Sequence, residues 1–319
     1  MIDMRLSSRI AIVGAGNVGA TAAYALMLRG LFAEIVLIDA NADRAVAEAT
    51  DIADANAIAR PARIRAGDYA DTKDAAIVVL TAGGVTHGDE SRLSVAGRSA
   101  GIVRACVTEA MAAGFDGIFV VACNPVDAMA QVAQAAAGLP AERVIGTGTL
   151  LDSNRFRKRL ADRLDVAPAA VEALVLGEHG DSEVVAFSTV RVGGVALDAF
   201  PGGDALDRDT IAQEVRRAGY TINHGKGYTS FGVATAIVRI CEAIQRDERV
   251  VLPVSTRVNG EFGIDGVYLS LPCLVGANGV SRILTPDLSV DEHAALMGSA
   301  DILRHVVATI DDGPAGDAT

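Results

Sequence analysis

The chain has 319 residues, half of them apolar, which suffices for a sizeable core and for two lobes sharing one interface. A net charge of −12, from 28 basic and 40 acidic residues, argues against nucleic acid and anionic membranes as partners. Trp is absent and aromatics make up 4%, which argues against a base-stacking surface, and no apolar run approaches the ~18 residues of a membrane span. Residues 1–9 lack the apolar core of a signal peptide, so a cytoplasmic location is expected. Cys106, Cys123, Cys241 and Cys273 are scattered without a Cys-x-x-Cys pair. They read as small buried residues in a reducing compartment, forming neither a metal site nor a disulfide frame.

Arg9–Val13 reads as a short strand that runs into Gly14-Ala15-Gly16-Asn17-Val18-Gly19 and an alanine-rich helix to about Arg29. A second strand, Glu34–Ile38, ends at Asp39. Strand, glycine turn, helix, strand and acidic residue together form a dinucleotide-binding unit. Gly14 permits the tight turn, Gly16 a close approach of backbone to pyrophosphate, and Gly19 close packing of helix on strand. Unpaired N–H groups at the helix start, at Asn17 and Val18, face the phosphates. Asp39 can accept both ribose hydroxyls and repels a 2′-phosphate, so NAD is expected over NADP. Arg44 could reach such a phosphate, but it also suits a role in capping or solvating the next helix.

Residues 41–59 read as a helix with Asn41 as its N-cap. Arg63–Ala66 is a short strand, followed by Gly67, Asp68 and Tyr69. Ala75–Leu80 is continuously apolar, as a central parallel strand should be. It ends in Thr81-Ala82-Gly83-Gly84. A helix is expected over 92–113 and a buried strand over 117–122, ending in Ala122, Cys123, Asn124 and Pro125. Open α/β sheets bind ligands at such strand ends. Tyr69, Gly83, Gly84, Ala122 and Asn124 therefore join the candidate cofactor site.

A helix over Leu150–Leu164 places Asp152 and Arg155 on one face, which on spacing alone equally describes a surface ion pair. The apolar strand Val171–Leu176 leads into Gly177-Glu178-His179-Gly180-Asp181-Ser182. A histidine between glycines at a strand end suits proton transfer near neutral pH, though an idle turn histidine fits as well. Strand pieces follow at 183–186 and 188–192, then helices over 205–223 and 229–246. Strands over 250–258, 266–274 and 279–284 suggest an antiparallel sheet, and a last helix covers 290–310. The fold class expected is α/β: an N-terminal Rossmann domain with a doubly wound parallel sheet over 1–146, and a mixed α/β substrate domain over 147–319.

In their order and spacing these segments resemble the L-lactate/malate dehydrogenase family over nearly the whole chain. The matching stretches are GAGNVG at 14–19, Asp39, TAGG at 81–84, ESRL at 90–93 and CNPVD at 123–127. They continue with VIGTGTLLDSNRFR at 144–157, GEHGDSEV at 177–184, KGYTS at 226–230 and SLPCLVGANGV at 270–280. The resemblance implies NAD as cofactor, reversible oxidation of an L-2-hydroxy acid, and a homodimer or homotetramer. It implies that His179 is the proton donor and acceptor and Asp152 its carboxylate partner. Arg155 would grip the substrate carboxylate, and Arg92 would polarise the carbonyl from a loop that Gly88 lets close. Asn124 would contact substrate and nicotinamide, and Thr229 would line the pocket.

Two positions depart from the family pattern. Thr86 stands where lactate enzymes usually carry glutamine and malate enzymes arginine. It supplies no cation for a second carboxylate, although His87 is adjacent, and it leaves space. The expectation is a lactate-type enzyme, with a malate dehydrogenase or a dehydrogenase of longer or polar 2-hydroxy acids as alternatives. Arg157 matches an arginine that binds fructose 1,6-bisphosphate in many bacterial relatives, but Glu172 stands where a histidine is expected. A carboxylate there repels phosphate, so activation by that effector is not expected.

Overall fold

The computed structural model describes residues 9–84 and 92–311, with residues 92–94 and 311 described as helical backbone only. The central parallel strands are almost wholly apolar, as burial on both faces requires, while the edge strand carries Arg63 and Arg65. The parallel strands are β1 (Arg9–Val13), β2 (Glu34–Ile38), β3 (Arg63–Ala66), β4 (Ala75–Leu80), β5 (Ile118–Val121) and β6 (Val144–Gly146). Helices α1 (Asn17–Arg29), α2 (Ala42–Asn56), α3 (Arg92–Ala112) and α4 (Val126–Ala137) connect and cover them.

The strand order β6-β5-β4-β1-β2-β3 reverses direction between β1 and β4. That reversal opens a crevice at the C-terminal ends of these two strands, where doubly wound folds bind ligands. Side chains alternate across the sheet. Ile10, Ile12, Leu37 and Val79 share one core with α1, α2 and a later helix, α7 (Phe231–Gln245). Ala11, Val13, Ile38 and Leu80 share the other with α3 and α4.

The rest of the chain contributes α5 (Leu150–Leu164), β7 (Val171–Leu176), β8 (Val184–Val192), β9 (Val195–Ala196) and α6 (Arg208–Lys226). After α7 come β10 (Val250–Asn259), β11 (Asp265–Gly276), β12 (Gly279–Ile283) and α8 (Val290–Asp311). Strands β7, β8 and β9 make a separate antiparallel sheet. Strands β10, β11 and β12 are antiparallel to one another as expected, but they also extend the parallel sheet to nine strands. The joint is Gly146 opposite Ser255, where a Cβ on residue 146 would lie 2.8 Å from that of Ser255. Among the described residues no helix is long and apolar enough to cross a membrane.

Several element limits differ from the sequence reading for local reasons. Helix α2 has the expected Asn41 cap, whose side chain accepts the Arg44 N–H at 3.1 Å. It stops at Asn56, since Pro61 disfavours helix before it and Asn56 Nδ2 donates to the Ala62 carbonyl at 2.7 Å. Helix α6 begins after Asp207, whose carboxylate accepts the Thr210 N–H at 3.0 Å. The pieces at 183–186 and 188–192 are one strand, β8.

Candidate active site

The glycine turn after β1 has a distinct use for each glycine. Gly14 has φ 103°, and a Cβ there would lie 2.7 Å from both the Ala82 nitrogen and Thr81 Oγ1. A Cβ on Gly19 would lie 1.8 Å from the Gly14 carbonyl oxygen, so α1 can approach β1 this closely only without a side chain. Gly16 meets nothing within 4 Å, which leaves its backbone open to a ligand. Gly16 is also the N-cap of α1 and offers no capping side chain, so the first-turn N–H groups at Asn17 and Val18 remain available to an anion. Asp39 is fixed beside this turn. Its Oδ2 accepts the Ala15 N–H at 2.7 Å and its Oδ1 the Asn41 N–H at 2.8 Å. Each oxygen keeps a lone pair for a hydroxyl. This cradle fits a dinucleotide. Arg44 is exposed on the first turn of α2.

The other cofactor candidates are spread around the crevice. Tyr69 packs on the core beside α3 and its hydroxyl meets the Cys106 thiol. Burial pushes that phenol above its ordinary range. Gly83 and Gly84 have a packing role: a Cβ on Gly83 would lie 3.2 Å from Cys123 Cβ, and the Gly84 N–H donates to Ser99 Oγ at 3.1 Å. Ala122 donates its N–H to the Leu80 carbonyl at 2.9 Å. Asn124 is exposed ahead of a cis bond to Pro125, at the start of α4. Thr86, His87 and Gly88 lie outside the described residues, as does the side chain of Arg92.

Two helix N-termini converge on His179. Asp152 lies in the first turn of α5 and Asp127 in the first turn of α4, where the helix dipoles favour negative charge. Helix α5 is stapled to β7, because Thr149 Oγ1 donates to the Val175 carbonyl at 2.5 Å and the Val175 N–H donates to Ser153 Oγ at 2.9 Å. His179 Nδ1 lies 2.5 Å from Asp152 Oδ2, while Arg155 donates to Asp152 Oδ1 at 2.7 Å. Asp152 is only 2% exposed. The spacing of Asp152 and Arg155 thus serves a buried carboxylate shared with a histidine.

The backbone of the histidine loop is equally constrained. The His179 N–H donates to Asp127 Oδ2 at 2.8 Å, and Ser270 Oγ donates to Asp127 Oδ1 at 3.1 Å. Gly177 pairs with Ser270 on β11, and the Glu178 N–H donates to Ser299 Oγ of α8 at 2.8 Å. Asp127, Ser270, Ser299 and the buried Glu183 escaped the sequence reading. A usable signal existed for two of them: Asp127 is the one acid in the apolar stretch 126–137, and Glu183 abuts an apolar strand.

The charges set the protonation states. Burial raises the Asp152 pKa, but His179 and Arg155 outweigh it and hold the carboxyl below its usual range. Burial opposes the imidazolium of His179, and the charges of Asp152, Asp127 and Glu183 overcome this and raise its pKa to about 9. His179 is then protonated near neutral pH, with Nδ1–H committed to Asp152 and Nε2–H free to be given. Burial pushes Asp127 up as well.

Thr229 is half-buried in the turn between α6 and α7. Gly232 brings the start of α7 onto that of α5, since a Cβ there would lie 2.9 Å from Leu151 Cδ1. This puts Thr229 on the Asp152 side of the molecule. Arg157 donates to the Ala173 carbonyl at 3.4 Å, and the charge of Glu172 acts on it.

Comparison with known proteins covers most of the chain. Residues 8–146 match the family model described as lactate/malate dehydrogenase, NAD binding domain, and residues 149–312 the one described as its alpha/beta C-terminal domain. An L-lactate dehydrogenase of Clostridium botulinum (strain Loch Maree / Type A3) is 38% identical over 312 residues, spanning 96% of this chain and 98% of that one. An L-lactate dehydrogenase of Clostridium perfringens (strain SM101 / Type A) is 39% identical over 307 residues, spanning 95% and 97%. Among solved structures, the ligands-bound minor L-lactate dehydrogenase from Enterococcus mundtii superposes with a TM-score of 0.93 at 40% identity, covering 95% of this chain and 98% of that one. MGS-M5, a lactate dehydrogenase from a Medee basin deep-sea metagenome library, gives 0.92 at 38% identity, covering 96% and 99%.

Proposed function

The chain belongs to the lactate/malate dehydrogenase family and has that family's NAD-binding domain; from this premise we propose that it reversibly reduces a small 2-oxo acid to the L-2-hydroxy acid with NADH, with His179 as acid and base. The observation that carries the reading is one buried carboxylate, Asp152, with His179 Nδ1 at 2.5 Å on one oxygen and Arg155 at 2.7 Å on the other. Residues 1–146 hold the cofactor and residues 147–319 supply the acid/base and the carboxylate clamp.

In the reducing direction Arg155 takes the substrate carboxylate in its planar fork. Arg92 polarises the carbonyl, and Asn124 and Thr229 border the substrate. The reduced nicotinamide, when bound, supplies a hydride to the carbonyl carbon. His179 gives its Nε2 proton to the carbonyl oxygen and is left neutral, with Nδ1–H still directed at Asp152. Oxidation runs the same transfers backwards, with neutral His179 as base.

The substrate expected is of the lactate type, because Thr86 carries no charge for a second carboxylate; Thr86 is also shorter than glutamine and leaves space, which makes a longer or more polar 2-oxo acid the alternative. Initial rates with NADH and a panel of 2-oxo acids at pH 7 test this. Oxaloacetate as best substrate by tenfold or more would replace the reading with a malate dehydrogenase. Tight NADH binding without turnover of any panel member would leave an NAD-binding sensor. We expect a homodimer or homotetramer.

Asp39 governs the choice of cofactor in this reading. Asp39→Ser is expected to lower kcat/KM for NADH about 10- to 100-fold, the value of one charge-assisted hydrogen bond at roughly 1.5–3 kcal/mol. The same change removes the charge that repels a 2′-phosphate, so the NADH/NADPH ratio should narrow. An unchanged ratio in initial-rate measurements with both cofactors would remove Asp39 from this role.

A further inference from the structure

Glu183 lies between the histidine loop and β8 and has no part in the mechanism above. Its side chain is 4% exposed, and its Oε1 is buried without a hydrogen-bond partner. A carboxylate oxygen in that position is costly, whereas a protonated carboxyl is tolerated. The charged groups facing Glu183 are Asp152 and Arg155 of α5, His179 of its own loop and Arg216 of α6. Arg216 does not neutralise it by contact: its guanidinium donates to the Glu183 main-chain carbonyl at 3.3 Å, and no cation lies within ion-pair distance of the carboxyl among the described residues. Arg155, the clamp for the substrate carboxylate, also has no bond among the described residues beyond the one to Asp152.

We propose that Glu183 is a positioning residue that acts through Arg155: when protonated it leaves the charge of Arg155 to the substrate carboxylate, and when ionised it competes for that charge and weakens substrate binding. The inference rests on the dehydrogenase reading. Burial, reinforced by Asp152, pushes the Glu183 carboxyl up to about 8, against the opposing charges of His179, Arg216 and Arg155. The ionisation therefore falls just above neutral pH, below that of His179. A substrate anion arriving when Glu183 is ionised is bound together with one proton from solvent, which returns Glu183 to its neutral form.

The effect belongs to KM and not to kcat, because the bound complex contains only protonated Glu183. Above the midpoint, the KM of the wild type should rise by up to about tenfold per pH unit, as the fraction with protonated Glu183 falls. In Glu183→Gln the KM should stay flat until His179 loses its proton, which happens below the wild-type value of about 9 because the charge of Glu183 no longer supports the imidazolium. In Arg216→Gln, which removes a cation facing Glu183, the rise should begin at higher pH. The experiment measures KM for the best 2-oxo acid between pH 6.5 and 9.5. It also measures the affinity of the NADH complex for oxamate, an unreactive carboxylate of pyruvate's shape, by NADH fluorescence. A Glu183→Gln profile that superimposes on the wild type overturns the proposal. If that variant melts early, an Arg216→Gln profile unshifted from wild type overturns it. Should no 2-oxo acid be turned over, the dehydrogenase reading fails, and the oxamate titration still decides for Glu183: affinity independent of pH between 7 and 9 in the wild type sinks the proposal.

Discussion

His179→Gln is expected to lower kcat for 2-oxo acid reduction about 10²- to 10⁴-fold, the usual contribution of a positioned acid, while the dissociation constant for NADH stays near its wild-type value. Glutamine is close to histidine in reach, and its amide can still donate to Asp152. It cannot gain or lose a proton, so the loss isolates proton transfer from packing. The proposed NADH site lies at the ends of β1 and β2, at the glycine turn and Asp39, and none of these is bonded to His179 among the described residues. Single-turnover kinetics with fluorescence titration of NADH separate the two quantities. Retention of a tenth of wild-type kcat would exclude His179 as the acid.

Asp152→Asn is expected to act differently in the two directions of the reaction. In the wild type the carboxylate of Asp152 is the chief influence that raises His179 to about 9, against burial, which lowers it. Without that charge the His179 pKa moves down toward or below its ordinary value. In the proposed reaction reduction requires the imidazolium and is therefore supported below the His179 pKa and lost above it. In the wild type kcat for reduction should hold until the pH passes about 9. In the variant this limb moves to about 6.5 or lower, and at pH 7.5 reduction should fall roughly tenfold from protonation alone, with a further loss from misalignment. Oxidation uses neutral His179, so at pH 7.5 it should suffer less than reduction. Profiles of kcat against pH in both directions show the asymmetry. An alkaline limb that stays in place would mean that another group holds the proton of His179.

The parts of the fold visible in the sequence were those with uniform chemistry. Ala75–Leu80 is apolar throughout and Leu150–Leu164 alternates apolar and charged positions, and both elements have the expected bounds. Helix α4 was not visible, because it is wedged between the sheet and other helices and buries Val126, Ala128, Met129 and Ala130 on more than one side. Its outer side is made of Gln134 and alanines with no charged residue, so little in the sequence marks its period. Strand β6 has only three residues, too few for any pattern.

The site divides along a similar line. His179, Asp152, Arg155 and the glycines occur in short segments with local spacing, and the structure brings the first three together. Asp127, Ser270 and Ser299 hold the same loop but come from distant parts of the chain, with 143 positions between Asp127 and Ser270. Only the folded sheet brings them together. Glu183 is next to the motif in sequence, yet its distinguishing property is an unpartnered oxygen in a closed space, which no spacing encodes.

The joint between β6 and β10 bears on how such a protein can change over evolutionary time. Two regions with separate matches to family descriptions look like interchangeable modules, and a crossover near Gly146 looks neutral. The nine-stranded sheet makes it otherwise. A transplanted second half has to present a small residue where Ser255 faces Gly146, and a hydroxyl where Ser270 meets Asp127. A hybrid of two relatives joined near Gly146 should therefore fold only where both side-chain matches across the seam are kept.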